Sequence, residues 1–152
     1  MEFKNNRALQ VYRFMEGLQF STAKANLGRA KFLTGIINGI KERDTDLVEI
    51  AKMRGHLDDN GEPVKIKDDN GEHFDIPDKN RLDYAKDVQA LDNDVMVINV
   101  TPYKNKYKAL MEALYNYSEP LGGNDALVLD LITTELDKEF PDIAKKFDED
   151  DE

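Results

Sequence analysis

The series of apolar side chains between residues 22 and 54 sets the strongest limit on the fold. The series recurs in steps of three, four and seven: Leu27, Ala30, Leu33, Ile37, Ile40, Leu47 and Ala51. With Ser21 or Thr22 as N-cap, it predicts one helix to about Arg54 that spans about 50 Å. Gly35 and Gly39, one turn apart, indicate close helix packing. Together with the capping signal Asp44-Thr45-Asp46, they leave a kink or a break open as an alternative.

The helix predicted before this one is too short to cover the series. It runs from Asn5 or Asn6 to about Gln19, with its apolar stripe at Ala8, Val11, Tyr12, Met15 and Leu18. Two arrangements bury the remainder: a C-terminal helix pair, 102–118 and 125–139, in a monomeric bundle, or a second copy across a two-fold axis. The excess length of the second helix favours a homodimer, with Ile37 and Ile40 at its interface.

The rest of the chain mixes helices with short strands. A helix is predicted from Pro77 or Asp78 to Asp92, with Leu82, Ala85 and Val88 inward. A buried strand is predicted over residues 95–100, completing a small sheet with an earlier hairpin. The last two helices have inward residues that include Tyr103, Tyr107, Leu110, Leu114 and Tyr117, then Leu127, Leu131, Ile132 and Leu136.

These elements predict an α+β fold that is mostly α. It is a helical hairpin or bundle with a small antiparallel β-hairpin or three-stranded sheet. Residues 1–140 form one domain, with a helical hairpin over 1–55, a β-hairpin, helix and strand over 56–100, and a helical hairpin over 101–140. Residues 141–152 are expected to be an acidic flexible tail that folding does not require.

The middle of the chain contains the sequence Asp-Asp-Asn-Gly-Glu twice, ten residues apart, at residues 58–62 and 68–72. A calcium loop of the EF-hand type fails here, because neither copy supplies the first carboxylate or the final bidentate Glu. We interpret both copies as turns, with Gly61 and Gly71 as their structural residues. A three-residue loop, 69–71, would pair Ile66 with Phe74 and Val64 with Ile76, so we expect this register with Gly71 at positive φ.

The net charge of −10 is unevenly distributed along the chain. Residues 1–55 carry 10 basic and 6 acidic side chains, and residues 56–94 carry 5 and 12. The next 46 residues are net −3 and the last 12 are net −4. This distribution disfavours nucleic acid as a partner, because phosphate binding needs a clustered positive field. It favours solubility, head-to-tail self-association or docking on a basic protein. The candidate interaction residues are Arg29, Lys31, Ile37, Ile40, Asp58, Asp59, Asp68 and Asp69.

Few residues are suited to catalysis or metal binding. The chain has no Cys, two His and two Ser, Ser21 and Ser118, neither of which lies in a nucleophile-elbow sequence. Glu112 and Glu135, near apolar helix faces, are the two carboxylates selected for perturbed titration. We therefore expect a protein that is not an enzyme and has no catalytic residues, cofactor or metal. No stretch approaches the roughly 20 apolar residues of a membrane span, and no signal core opens the chain, so we expect an unprocessed intracellular protein with no membrane contact.

Four stretches occur in one order and together carry a resemblance. They are Met1-Glu2-Phe3-Lys4-Asn5-Asn6, Gly28-Arg29-Ala30-Lys31-Phe32-Leu33, Leu57-Asp58-Asp59-Asn60-Gly61-Glu62-Pro63, and the joint from Leu114-Tyr115-Asn116-Tyr117 to Gly122-Gly123-Asn124-Asp125-Ala126. Over residues 1–140 the chain resembles a family of short uncharacterised proteins encoded by tailed phages and prophages of Gram-positive bacteria. The resemblance implies a phage origin and action in the host cytoplasm or in the virion, and it implies no reaction.

Three functional hypotheses follow. The first is a noncatalytic phage protein that acts through protein–protein contacts, as a structural or assembly accessory, with a phage or host protein of unknown identity as its partner. The second is an acidic anti-defence inhibitor that binds a basic groove on a host immune protein. The third is a small-ligand binder at the basic patch of the first two helices.

Overall fold

A computed structural model describes the backbone of residues 1–150 and the side chains of residues 1–147. Six α-helices and four short strands are present in the described residues. In chain order they are β1 (Glu2–Lys4), α1 (Ala8–Gly17), α2 (Ala23–Arg54), β2 (Lys65–Asp68), β3 (Gly71–Phe74), α3 (Arg81–Asn93), β4 (Val95–Val97), α4 (Lys104–Tyr115), α5 (Gly123–Glu139) and α6 (Pro141–Asp150). Single 3-10 turns precede α1, α3 and α4, at Asn5–Arg7, Asp78–Asn80 and Thr101–Tyr103. The α+β, mostly α class predicted from the sequence is confirmed.

Helix α2 is continuous from Ala23 to Arg54, so the break does not occur. It begins at the expected cap, because the Thr22 hydroxyl oxygen accepts a hydrogen bond from the Ala25 N–H at 3.3 Å. Its 32 residues extend about 48 Å at 1.5 Å per residue. It is the longest helix of the described residues, and α1, α3, α4 and β4 all pack against it.

The buried face of α2 is rotated from the predicted series. Its fully buried positions are Ala25, Gly28, Phe32, Ile36, Gly39 and Ala51, whereas Leu27 and Ala30 are exposed and Ile37 and Ile40 are half-buried. The predicted face was wrong at Leu27 and Ala30 and right at Ala51, because α2 turns Gly28 toward α4 and Gly39 toward Met96, and this rotation buries Phe32 and Ile36. A Cβ built on Gly28 would lie 2.2 Å from the Lys106 carbonyl oxygen, so the two helix backbones touch there.

The strand predicted over residues 95–100 is shorter and has a different partner. Strand β4 pairs antiparallel with β1, with Phe3 opposite Met96, and does not join the hairpin. Strand β1 was not predicted, because three residues are too few for a pattern. Phe3 packs edge-on against Phe32 with ring centroids 5.7 Å apart. Gly35 and Gly39 face the Ile98 and Met96 side chains, so these glycines serve contact with β4 rather than with another helix.

The hairpin of β2 and β3 has a different register from the predicted one. Asp68 pairs with Gly71, Ile66 with His73, and Lys65 with Phe74, so the loop holds only two residues, Asp69 and Asn70. The predicted register gathered the apolar residues on one face to bury them, but both strands lie outside the core and Ile66 is 42% exposed. Burial therefore does not select the register here. The expected positive φ at Gly71 is confirmed at +102°, and Gly61 has +77°.

The C-terminal helices complete the core. Tyr107, Leu110, Met111 and Leu114 of α4 are buried, as are Val128, Ile132 and Leu136 of α5. Leu127, predicted to face inward, is 69% exposed because α5 turns Val128 to the core instead. Leu82 and Ala85 of α3 are also exposed, and α3 has no fully buried residue.

Residues 141–147 do not form a flexible tail. They belong to α6, where Ile143 and Ala144 pack against the core and the Phe147 ring stacks on Tyr115 at 4.5 Å between centroids. The acidic composition misled the prediction, because the acidic side chains of 141–152 lie mainly beyond the apolar contact residues. The side chains of residues 148–150, and all of residues 151 and 152, lie outside the described residues, and so does the part of the tail prediction that concerns them. Among the described helices, none is long and apolar enough to cross a membrane.

Candidate protein-interaction site

Charge is separated along the axis of α2. Residues 17–41 and 95–111, which we call the basic pole, carry seven Lys or Arg and no Asp or Glu. The two segments meet where α2 crosses α4 at Gly28 and Lys106. Residues 56–94, which we call the acidic arm, comprise the hairpin and α3 beside the other end of α2. Because α2 is one continuous helix of about 48 Å, Lys31 and the hairpin turn beside Lys52 lie far apart along it.

The structure separates Arg29 and Lys31, which the sequence placed in one basic patch. Arg29 donates hydrogen bonds to the carbonyl oxygens of Met15 and Glu16, at 3.4 and 3.0 Å, and so binds the end of α1. Lys31 lies on another side of α2, with its ammonium nitrogen 4.4 Å from the centroid of the Tyr103 ring. Lys106 places a second ammonium group 5.4 Å from the same ring. Arg29 is thus structural, and Lys31 belongs to an aromatic and cationic surface.

A cleft of about 340 Å³ opens beside this surface, between α2 and β4. Lys31, Asn38, Val97, Asn99 and Tyr103 are among its lining residues. Strand β4 pairs on one edge only within the described chain, and its Val97 side chain is 69% exposed. Burial, with a smaller contribution from Tyr103, raises the pKa of Tyr107 at the cleft to about 12, so this phenol stays neutral at physiological pH. The basic pole thus combines exposed apolar groups with cations.

Three backbone hydrogen bonds join the chain segments at the base of the hairpin. The His56 N–H donates to the Asp75 oxygen, the Asp75 N–H to the Val64 oxygen, and the Val64 N–H to the His56 oxygen, at 2.8–2.9 Å. The His56 ring also contacts an Asp75 carboxylate oxygen at 2.8 Å. These contacts join the two turns, at Asp58–Gly61 and Asp68–Gly71, through one hydrogen-bonded base.

The four candidate aspartates lie on these two turns and are exposed. Asp58 accepts hydrogen bonds from the backbone N–H groups of Asn60 and Glu62, and Asp68 accepts one from Asn70, so this pair shapes the turns. Asp59 and Asp69 follow them and take part in no salt bridge within the described residues. The turns therefore present carboxylates that no group of the described chain neutralises.

The cations beside the arm are used to hold it to α2. Arg43 contacts Asp92 at 2.7 Å and Arg54 contacts Asp87 at 2.8 Å, while the Asn80 amide donates to the Arg54 carbonyl oxygen at 2.7 Å. The hydrogen bond to Asp87 is the largest cause that raises the pKa of Arg54. These contacts neutralise Asp87 and Asp92, whereas Asp59 and Asp69 on the outer turns take part in no salt bridge within the described residues.

Exposed apolar side chains accompany the unpaired carboxylates. Met53, at the end of α2, and Leu82, on α3, are each 68% exposed. Leu57 and Ile66 of the hairpin are 48% and 42% exposed. Apolar groups with a polar rim are the usual composition of a protein interface. The arm therefore carries both parts of a docking surface.

The two selected carboxylates differ in their surroundings. Glu112 is exposed on α4, whereas Glu135 is only 7% exposed on α5. Glu135 accepts a hydrogen bond from the Glu2 N–H at 2.7 Å and one from Lys138. Burial acts to raise the pKa of Glu135, but these hydrogen bonds outweigh it and the pKa is lowered. Within the described residues, no group of three or more His, Asp or Glu is arranged to hold a metal ion.

Sequence comparison supplies the family. A family model described as "Protein of unknown function (DUF1617)" matches residues 1–141. The chain belongs to the DUF1617 family. No curated protein and no solved structure matches it. The match covers the basic pole and the acidic arm of this DUF1617 chain, so both surfaces lie within the family domain.

The basic pole is visible in the sequence as two long gaps between acidic residues, although no residue motif marks it. Two segments without Asp or Glu, 17–41 and 95–111, are visible in a chain that has 31 acidic residues. Their meeting across α2 and α4 depends on the fold, as does the convergence of Lys31 and Lys106 on Tyr103. Ile37 and Ile40 do not form an exposed apolar strip, because both are half-buried and Ile40 packs against the core.

Proposed function

We propose that this DUF1617 protein is a noncatalytic phage protein that acts through protein–protein contacts, as a structural or assembly accessory in the virion or in the host cytoplasm. The observation that carries the proposal is the acidic arm, whose turns present unpaired Asp59 and Asp69 beside exposed Leu57 and Ile66. A basic protein surface with apolar depressions is the partner that such an arm fits.

The contacts of the carboxylates support a noncatalytic function. Asp58 and Asp68 use their oxygens to hold turn backbone, and Glu135 joins β1 to α5. Each of these groups has a structural task, and Asp59 and Asp69 lie on an open surface rather than in a cleft that excludes water. The exposed carboxylates are suited to electrostatic contact with another macromolecule.

Mass spectrometry of purified virions tests this role in a phage that encodes the protein. A structural accessory should be present at a fixed ratio to the other particle proteins. The variant Asp59→Lys/Asp69→Lys should lower its incorporation at least tenfold, because it reverses the charge of both turns. Glu119→Lys, an exposed change outside the arm, is the matched control and should leave incorporation unchanged. Equal incorporation of both variants would contradict a role for the arm.

The exposed apolar residues on the arm also support a second candidate, an anti-defence inhibitor. A projecting acidic element with exposed Leu57 and Leu82 fits a basic groove on a host immune protein. In that case the protein should be absent from virions, and the tagged protein should capture a host nuclease or nucleotide-signalling protein from infected cells. Loss of that capture in Asp59→Lys/Asp69→Lys, but not in Glu119→Lys, would assign the contact to the arm.

A further inference from the structure

We propose that the acidic arm of one copy docks on the basic pole of a second copy, so that the chain associates head to tail. This inference rests on the proposed function, because it takes the arm as the docking element and names a partner for it. The occupant of the basic pole is thus another copy of this chain, recognised by charge and by apolar contact.

Charge complementarity is the first argument. Arg29 holds the end of α1, and none of the other six cations of the basic pole, all Lys, takes part in a salt bridge within the described residues. Asp59 and Asp69 of the arm are likewise outside every salt bridge of the described chain. Each surface therefore lacks, within the described chain, the opposite charge that the other presents.

Within one molecule, the turns of the arm lie far along α2 from Lys31 of the pole. The N-terminal half of α2 belongs to the basic pole, and its C-terminal half holds the arm through Arg43 and Arg54. The turn at residues 58–62 lies beside Lys52, which contacts Glu62 at 3.5 Å, and Lys52 is 21 residues, or about 30 Å, along the continuous helix α2 from Lys31. A second copy supplies the complement instead.

Exposed apolar side chains occur on both surfaces. The pole presents Leu27 at 50%, Val97 at 69% and Tyr103 at 39% exposure. The arm presents Leu57, Ile66 and Leu82. Apolar contact surrounded by opposite charges is the composition of a specific interface, and it adds to the electrostatic attraction between the copies.

The two surfaces differ, so the contact is heterologous. Each copy that docks through its arm leaves its own pole free, which extends the assembly into a filament or closes it into a ring. Exposed charges contribute modestly to each contact and are screened at about 8 Å in physiological salt. We therefore expect assembly that depends strongly on protein concentration and is reversed by salt.

Nucleic acid fits the pole less well than an acidic protein does. The ammonium groups of Lys31 and Lys106 already lie over the Tyr103 ring, where a base would have to stack. The whole chain also carries a net charge of −10, which repels a phosphate backbone. Oligonucleotide binding without self-association is one of the results that would overturn the inference.

Sedimentation velocity on the full chain tests the inference. At about 20 mM salt the average mass should rise above the 17.4 kDa of one chain as concentration increases, and return to it at about 0.5 M salt. The pole variant Lys31→Glu/Lys106→Glu and the arm variant Asp59→Asn/Asp69→Asn should each stay at 17.4 kDa. Glu119→Gln, an exposed acidic change outside both surfaces, should assemble as the wild type does.

Mixing the two variants gives the decisive measurement. The pole variant keeps its arm and the arm variant keeps its pole, so one heterologous contact forms between them and none can follow. The mixture should therefore stop at a 1:1 dimer of about 35 kDa, whereas the wild type continues to larger species. Circular dichroism should give each variant the wild-type helix content, which shows that the loss of assembly is not a loss of folding.

Three results would overturn the inference. The first is a wild type that stays at 17.4 kDa at all concentrations in low salt. The second is an assembly that resists salt and is lost in Ile40→Asp, which would mean an apolar two-fold dimer. The third is an oligonucleotide that binds the wild type, but not the pole variant, without self-association. If self-association fails while arm variants still lose virion incorporation or host capture, the proposed function stands and only this inference falls.

Discussion

A single glycine sets how closely α2 and α4 approach. Gly28 lies against the backbone of α4, where an added Cβ would be 2.2 Å from the Lys106 oxygen and 2.9 Å from Leu110 Cβ. Backbone cannot move aside as the end of a flexible side chain can, so both helices would have to separate.

Gly28→Ala should therefore lower the free energy of unfolding by about 2 kcal/mol. Gly17→Ala is the control, because a Cβ there meets nothing within 4 Å and alanine favours the helix. It should leave stability unchanged or raise it by up to about 1 kcal/mol. Urea denaturation of both variants measures the difference, and equal stabilities would contradict the close approach.

Glu135 couples the N-terminal strand to α5 and makes that coupling sensitive to pH. Its pKa is lowered in the folded protein, because the hydrogen bonds from Lys138 and the Glu2 N–H outweigh the effect of burial. A carboxyl group with a lowered pKa stabilises the fold above its unfolded pKa, and this stability is lost as the pH falls through the folded pKa.

We expect the melting temperature of the wild type to fall more than that of Glu135→Gln between about pH 6 and about pH 3. The amide keeps the shape of the side chain but carries no charge to titrate. Glu112→Gln, at an exposed site, is the control and should follow the wild type. Parallel curves for the wild type and Glu135→Gln would show that the Glu135 charge does not stabilise the fold.

Helix α6 is the element whose role differs most from its acidic composition. Its Ile143 packs against the core, and its Phe147 ring stacks on Tyr115, whose hydroxyl donates to Asp137 at 2.6 Å. These contacts fasten α6 to both α4 and α5.

The variant Ile143→Ala/Phe147→Ala should lower stability by about 2 kcal/mol, or about 5 °C in melting temperature. Both side chains are half-buried, which makes the loss smaller than for a full core deletion. Lys146→Ala, an exposed change on the same helix, should have an effect near zero. A double variant as stable as the wild type would mean that α6 does not dock in solution.

At the scale of the whole molecule, apolar packing holds the core elements together, and charge pairs tie α3 to α2. The apolar core joins α1, α2, α4, α5 and the β1–β4 sheet, whereas α3 has no buried residue and is tied to α2 by Arg43 and Arg54. Asn5 adds one tie, since its amide donates to the Leu91 oxygen at 2.8 Å. Charge pairs weaken in salt and apolar contacts do not, so the arm and the core should respond differently.

Hydrogen exchange should show this difference. Amide exchange in α3 should quicken between about 0.05 and about 0.5 M salt, while exchange in α4 stays slow. Arg54→Gln should quicken α3 already at low salt. Arg81→Gln, which removes the exposed pair with Asp78 inside the arm, should not. If α3 and α4 respond alike to salt, the molecule has one cooperative unit and this division is wrong.

Some features were determined by the sequence alone because their causes are local. The cap at Ser21 or Thr22, the helical pattern that follows it and the positive φ of Gly71 depend on residues within a few positions of one another. The mostly helical class and the separation of charge along the chain also follow directly from residue order. Such features depend on the pattern of residues along the chain and require no contact with a distant segment.

The tertiary structure decided which surfaces are buried and which are free. The pairing of β1 with β4 joins residues more than 90 positions apart, and no local pattern specifies it. The face that α2 buries was decided by the close approach of Gly28 to the α4 backbone and of Gly39 to the Met96 side chain, since close packing depends on the fit between surfaces rather than on the size of single side chains. Phe147 docks because α4 offers Tyr115, and Lys31 meets Lys106 because the helices cross. Burial and charge clustering are properties of several distant segments together, so they arise only when the chain has folded.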